Sequence, residues 1–376
     1  MTIAMKKFLN SLFALAVLMS GFVLTSCEEE VEGNLELSAS STIIIADGND
    51  EVVITVKIGD VDVTDRASLY VNNDRLSSNV FVTEKPGTYK FYASYNGQIS
   101  NKVTVNAANP ALYVALPEDS LVDKFSDFQR KVLLTEATGT WCGYCPYMIT
   151  ALELFSENGS NADNAVIVAT HSADGFSNAA SEAVLAAMKA SSYPSCYLDL
   201  NPSAFIDNAA PAVNAENINT MIGMQMKNTA RVGISAATAV SVDSTIVGVR
   251  AAVKVGKDGN YRINAWLIED GVEAYQTSNW YEFSNGQAQV LIAHKHVLRA
   301  ASCVSPIQGE LLGDKGACKA GDVVEYYYEF DAAKAGVVDM KNCKVAVMVT
   351  TGSSSKYYVN NIIECNAGES VPFAYN

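Results

Sequence analysis

Histidine is scarce in this chain of 376 residues: three occur, at His171, His294 and His296. Only one cysteine pair, Cys142 and Cys145, has C-x-x-C spacing. A structural zinc site of that type needs a second pair of ligands, so no metal and no other cofactor is expected. Basic residues are also few, 26 against 41 acidic ones, for a net charge of −15. An acidic chain of this kind repels the phosphate backbone, which excludes nucleic acid as a partner. Beyond residue 27 no apolar run is long enough to span a bilayer. Fixed-period repeats and low-complexity tracts are missing as well.

What is present begins at the amino end. Lys6 and Lys7 precede the apolar run Phe8 to Leu24, followed by Leu24-Thr25-Ser26-Cys27. This order reads as an export signal. The last four residues resemble a lipobox, which implies a lipid-modified Cys27 and a membrane anchor through it. The competing reading is an uncleaved membrane-spanning segment. Glu28, Glu29 and Glu30 resemble the acidic tether that sends some Bacteroidota lipoproteins to the cell surface, although a merely solvated linker has the same composition. Removal of residues 1–27 takes away two basic groups and leaves 24 against 41, a net charge of −17.

The remaining 349 residues exceed one ordinary core. The expected class is a multidomain α+β protein. Residues 28–108 alternate in short β-rich segments broken at Asp47-Gly48-Asn49-Asp50, Asn72-Asn73-Asp74 and Pro86-Gly87. They predict an N-terminal β-sandwich, and Gly87 to Ala93 resembles the late strands of bacterial immunoglobulin-like modules. Residues 109–229 alternate strand and helix patterns, which predicts an α/β layer. From 230 to 376 long alternating segments return, predicting a C-terminal β-sandwich.

The chemistry concentrates in Glu136 and in Trp141-Cys142-Gly143-Tyr144-Cys145-Pro146, where a strand gives way to a helix. A thiolate at Cys142 is favoured by the free N–H groups and dipole of a helix amino end. Cys145 is spaced to resolve a mixed disulfide. The stretch Val132 to Pro146 resembles thioredoxin-fold oxidoreductases, whose active-site helix begins at the first cysteine. That resemblance implies a central thioredoxin-like domain, a catalytic Cys142 and Cys145, and Glu136 as the buried acid that moves a proton for the resolving thiol. It also implies a cis-proline at Pro194, after Tyr193. Cys196 reads as a buried inert thiol, and His171 as a loop histidine.

Eight cysteines in an exported chain suit an oxidising compartment. Antiparallel pairing of 343–350 with 358–365 sets Cys343 opposite Cys365, a geometry open to a disulfide. Cys303 and Cys318 bracket a Gly-rich loop, whose closure would stabilise the fold by about 3 kcal/mol. Three pairings of these four thiols remain open.

Lipobox, thioredoxin-like module and β-rich tail in this order resemble the outer membrane protein 28-related lipoproteins of Bacteroidota. The resemblance rests on Glu136 to Pro146, Tyr193-Pro194 and His294 to Ala300, and covers roughly 110–376. It implies an outer-membrane location. His296 and Arg299 within it read as solvent-facing residues of a strand. Two functions compete. One is a cell-envelope thiol–disulfide oxidoreductase acting on exported or surface proteins. The other is a surface-exposed binding or adhesion lipoprotein whose C-x-x-C disulfide is only structural.

Overall fold

The computed structural model describes residues 33–206, 210–313, 316–353 and 356–376. Cys27, the signal at 1–27 and the glutamates at 28–30 lie outside the described residues.

Between residues 35 and 108 the alternation produces strands with one buried and one wetter face. Val52–Ile58 pairs antiparallel with Leu35–Ala39 in one sheet. Gly87–Tyr95 pairs with Val103–Ala108 and Ser68–Val71 in a second. Val52, Ile54, Val56 and Ile58 meet Phe91, Ala93, Val103 and Val105 in a common core. Full burial of each Val or Ile contributes about 1.5 to 3 kcal/mol. The amide of Asn109 joins this part to the remainder by donating to the Glu329 carboxylate at 3.0 Å.

The larger part is organised by one sheet of ten strands among the described residues. Val132–Thr138 is an unbroken, fully buried run, as expected for a strand covered on both faces. It pairs parallel with Ala165–His171 and antiparallel with Ser195–Leu198, which continues to Asn201–Ile206. On the other side Ala165–His171 meets Val297–Ala301 through the parallel pair Ala169 and Val297. The order then runs on through Gly259–Glu269, Cys343–Ser353 and Lys356–Asn366.

One face of this sheet carries the helices Cys145–Asn158 and Pro211–Gln225, with Met148, Leu152, Phe155, Ile218 and Ile222 packed on Val132, Leu134, Cys196 and Leu198. Farther along, a second sheet of Val323–Asp331, Ile246–Val255, Val232–Val240 and Ser370–Val371 packs against Tyr261, Ile263, Leu267, Val345 and Val347. The opposite face holds the helix Ala179–Met188. Asn178 starts that helix as a reciprocal capping box with Ser181.

The expected fold class, with a central thioredoxin-like α/β domain separate from a C-terminal β-sandwich, is therefore corrected. The described residues are mostly β, 45% strand and 16% helix, and the central strands do not close a sheet of their own. A free edge at 165–171 would expose unpaired N–H and C=O groups, and the 297–301 strand, more than a hundred residues away in sequence, covers it. The core follows the hydrogen bonds: Val184, Leu185 and Met188 pack in one cluster with Leu133 and Val166, and also with Trp266, Ile268 and Met348.

The second correction concerns the cysteines. Cys303, Cys318, Cys343 and Cys365 are free. In the hairpin 343–366 Thr350 meets Val359 and not Tyr358, and a bulge between Val349 and Thr350 shifts the register by one more residue, so Cys365 faces Val345 and not Cys343. The Cys343 thiol donates to Asp339 O, and that of Cys365 to Glu369 O. Cys318 donates to Leu312 O and Cys303 to Ser305 O.

The corner where the connector enters the sheet is held by a buried ion pair, Arg130 Nη2 to Asp199 Oδ2 at 2.5 Å. The other Asp199 oxygen accepts the Leu133 N–H at 3.0 Å. Asp199→Ala leaves a buried guanidinium and an amide unpaired. It is expected to lower stability by about 3 kcal/mol, read as a lower urea midpoint at unchanged slope; a midpoint equal to the parent's contradicts this.

Candidate redox site at the Cys142–Cys145 disulfide

Cys142 and Cys145 form a disulfide, with Cα atoms 5.4 Å apart. The helix begins at Cys145 and not at Cys142, with Pro146 in its first turn and Tyr144 at the cap position. Proline suits that place because its missing N–H would have no partner there. Cys142 thus sits in the preceding turn, and the Cys145 N–H, one of the donors of the helix start, is shared between Cys142 Sγ at 3.0 Å and Cys142 O at 3.3 Å. A backbone donor aimed at that sulfur stabilises negative charge on it.

The turn is fixed by a segment distant in sequence. Strands Val272–Thr277 and Gln289–His294 form a hairpin, and its first strand and tip lie along the cysteine turn. The buried Gln276 side chain donates to Cys142 O at 2.9 Å and to Gly139 O at 3.3 Å. The Thr277 N–H donates to Thr140 O and the Asn279 N–H to Gly143 O, both at 2.8 Å. A Cβ on Gly143 would lie 2.5 Å from the Asn279 side chain, which explains glycine at that position. Trp280 stacks on Tyr147 with ring centres 4.7 Å apart, tying the hairpin to the helix.

Beside the disulfide, Trp141 and Tyr144 are about half exposed, whereas Cys142 is only 4% exposed. The Trp141 indole donates to Ser172 O at 2.7 Å, and its ring meets Tyr193 at 5.4 Å. The Tyr193–Pro194 peptide is cis. The fold therefore brings Tyr193, the residue before Pro194, against Trp141 of the cysteine turn.

Glu136 points from the fully buried strand toward the 145–158 helix, on the same face as Val132 and Leu134. Its Oε1 has no hydrogen-bond partner. Burial raises its pKa to about 7, with Thr138 offsetting a little. Across the ladder it faces Cys196, whose thiol is pushed well up by burial and then by Glu136.

Beside Glu136 lies a cavity of about 260 Å3, lined also by Thr138, Leu152, Ala169, His171 and His294 among others. His171 is buried and not a loop residue on the surface; its Nδ1 lies 2.7 Å from Asp174 Oδ2. Burial works against the Asp174 charge, but the His171 hydrogen bond and charge hold its pKa at about 2. The same carboxylate accepts the Thr140 N–H of the cysteine turn. Burial, and then His171, lowers His294 to about 4. His296 and Arg299 do not face solvent as expected. Arg299 is buried in an ion pair with Glu269 at 2.7 Å, and His296 lies half-buried 3.5 Å from Asp270. Sequence reasoning missed Gln276 and Asn279, which act on the cysteine turn from more than a hundred residues away, and gave no role to Asp174, three residues from His171, or to His294.

The family model described as outer membrane protein Omp28 matches residues 181–371, just over half of the chain. That match includes Pro194 and the 272–294 hairpin and begins after the cysteine pair. Among solved structures, the chain resembles HBP35 of Porphyromonas gingivalis at 16% identity and a TM-score of 0.49, over 67% of this chain and 79% of that one. A domain of the outer membrane lipoprotein Omp28 from the same organism aligns at 14% identity and a TM-score of 0.23, over 37% of this chain and 89% of that one. The chain has no match among curated proteins.

Proposed function

The chain belongs to the outer membrane protein Omp28 family, and from that premise we propose that it is a lipid-anchored thiol–disulfide oxidoreductase of the cell envelope. The anchor is Cys27 and the substrates are exported or surface proteins. Cys142 is the nucleophile, Cys145 the resolving thiol and Glu136 the proton carrier, with Pro194 bordering the groove. The electron donor comes from outside the chain.

One observation carries the reading: the Cys145 N–H aimed at Cys142 Sγ from 3.0 Å. A donor in that place serves a thiolate, and the thiolate is the species that attacks disulfides. The buried acid on the same side of the sheet adds a group that can accept the proton of Cys145.

A second reading, a surface binding lipoprotein with a static bond, draws support from the 4% exposure of Cys142. The potential of the Cys142/Cys145 couple separates the two. The oxidoreductase is expected to titrate above about −300 mV, and a structural bond below it. Equal insulin-reduction rates for Cys142→Ser and the parent remove the enzyme.

A further inference from the structure

The cavity beside Glu136 lies between that residue on the sheet, the helix that begins at Cys145 and the 289–294 strand. Three polar atoms of its lining residues have no hydrogen-bond partner: His296 Nδ1, and Glu136 Oε1 and His294 Nε2, which belong to residues more than nine-tenths buried. Buried polar atoms without partners cost free energy. Three of them around one chamber mark it as a place that polar matter enters. At roughly 30 Å3 per water molecule, several waters fit.

The groups facing the chamber come from every element around it. The sheet supplies Glu136 and His171, with Asp174 behind the latter; Cys196 stands across the ladder from Glu136. The helix supplies Glu153 and Glu157 at the rim, and Lys295 pairs with Glu153 at 3.0 Å. The hairpin supplies His294 and, past its end, His296 beside Asp270. A hydrogen bond to the Ala274 backbone holds the His294 ring.

We propose that this chamber is the proton port of the Cys142–Cys145 centre: Glu136 exchanges its proton with solvent through it, past His294 and the His171–Asp174 pair. The inference rests on the thiol–disulfide reading and says how that site is served from behind. When the dithiol is oxidised, the Cys142 thiolate attacks a substrate disulfide; a mixed disulfide forms and one substrate thiolate leaves. Cys145 then passes its proton to the Glu136 carboxylate, and its sulfur attacks Cys142 Sγ. The internal disulfide forms, the mixed disulfide breaks and the second substrate thiolate leaves. Two electrons have passed to the substrate, and one proton remains on Glu136. A substrate seated at Trp141 and Tyr144 covers the front, so that proton leaves through the rear. Reduction by an external dithiol runs the sequence backwards, and the proton enters by the same route. In this scheme His294 relays the proton through its free Nε2 and touches neither sulfur.

The test follows the Glu136 carboxylic acid band by infrared spectroscopy after rapid dilution of the full-length oxidised protein into heavy water, below neutral pH. Glu136→Gln assigns the band. In the parent the band shifts within the mixing time. Ala169→Leu, which fills the chamber, and His294→Phe, which keeps the ring contacts and removes the acceptor, slow it roughly a hundredfold, the scale of a lost proton-transfer partner. Should the leucine variant not fold, the phenylalanine variant decides alone. Parent-like exchange in the folded variants overturns the port, as does a parent band that shifts only on unfolding. Insulin turnover is measured beside it: loss of turnover in the parent removes both readings, whereas turnover with unmoved exchange removes the port alone.

Discussion

A Cys145→Ser variant is expected to stop turnover of disulfide substrates and to hold a substrate protein covalently on Cys142. The substitution leaves the backbone N–H of residue 145, the donor that faces Cys142 Sγ at 3.0 Å, so the nucleophile keeps its stabilising partner. What is lost is the sulfur that breaks the mixed disulfide. Turnover falls by about a thousandfold or more, as for other enzymes that lose a member of their covalent machinery. On a non-reducing gel the variant carries a mass shift that dithiothreitol removes, and Cys142→Ser carries none. A Cys145→Ser protein that reduces insulin at the parent rate and traps nothing would show the bond to be static.

Glu136→Gln is expected to act twice. The amide keeps the shape of the side chain but cannot take up the Cys145 proton, and loss of a positioned acid–base group costs about a hundredfold in rate. The second effect is on stability. Burial raises the folded-state pKa of Glu136 from 4.5 to about 7. Below the unfolded value both states are protonated and burial of the neutral acid is tolerated. Between the two values the unfolded chain loses its proton and the folded one keeps it, so stability declines as pH rises and the loss is complete above about 7. A shift of this size is worth about 3 kcal/mol. His294 slopes the other way. Its pKa is lowered to about 4 from 6.5, so its contribution is complete above the unfolded value and lost as pH falls through the folded one. The parent's own curve therefore mixes opposing slopes, and the difference between parent and Glu136→Gln isolates the acid. Urea midpoints at several pH values read that difference directly. A difference that stays constant from pH 4.5 to 7.5 would mean that Glu136 is not held neutral.

Much of the site was legible before any fold was known. The β-rich run Lys131 to Ala137 with Glu136 inside it is a local contradiction: a carboxyl in a strand otherwise suited to burial on both faces. Such breaks in pattern mark sites where function overrides packing. The helix after Pro146 was legible from its spacing, and the observed Cys145–Asn158 differs by little. The C-terminal cysteines were not legible. Their pairing depends on the turn, which sets Thr350 opposite Val359, and on a bulge between Val349 and Thr350 that moves every partner beyond it by one more residue; neither leaves a mark in an alternating pattern.

The amino-acid order by itself determined the acidic balance, the strand-to-helix turn carrying Cys142 and Cys145, and the acid six residues before Cys142. These are local properties, set by charge, hydropathy and spacing along the chain. Only the tertiary structure decided that the 297–301 strand would close the edge of 165–171 and carry the central strands into one large sheet. The same closure brings the 272–294 hairpin onto the cysteine turn and sets His294 beside His171. Unpaired backbone groups at a sheet edge are satisfied by whichever strand the folded chain delivers there, and that choice is made over distances no local pattern records.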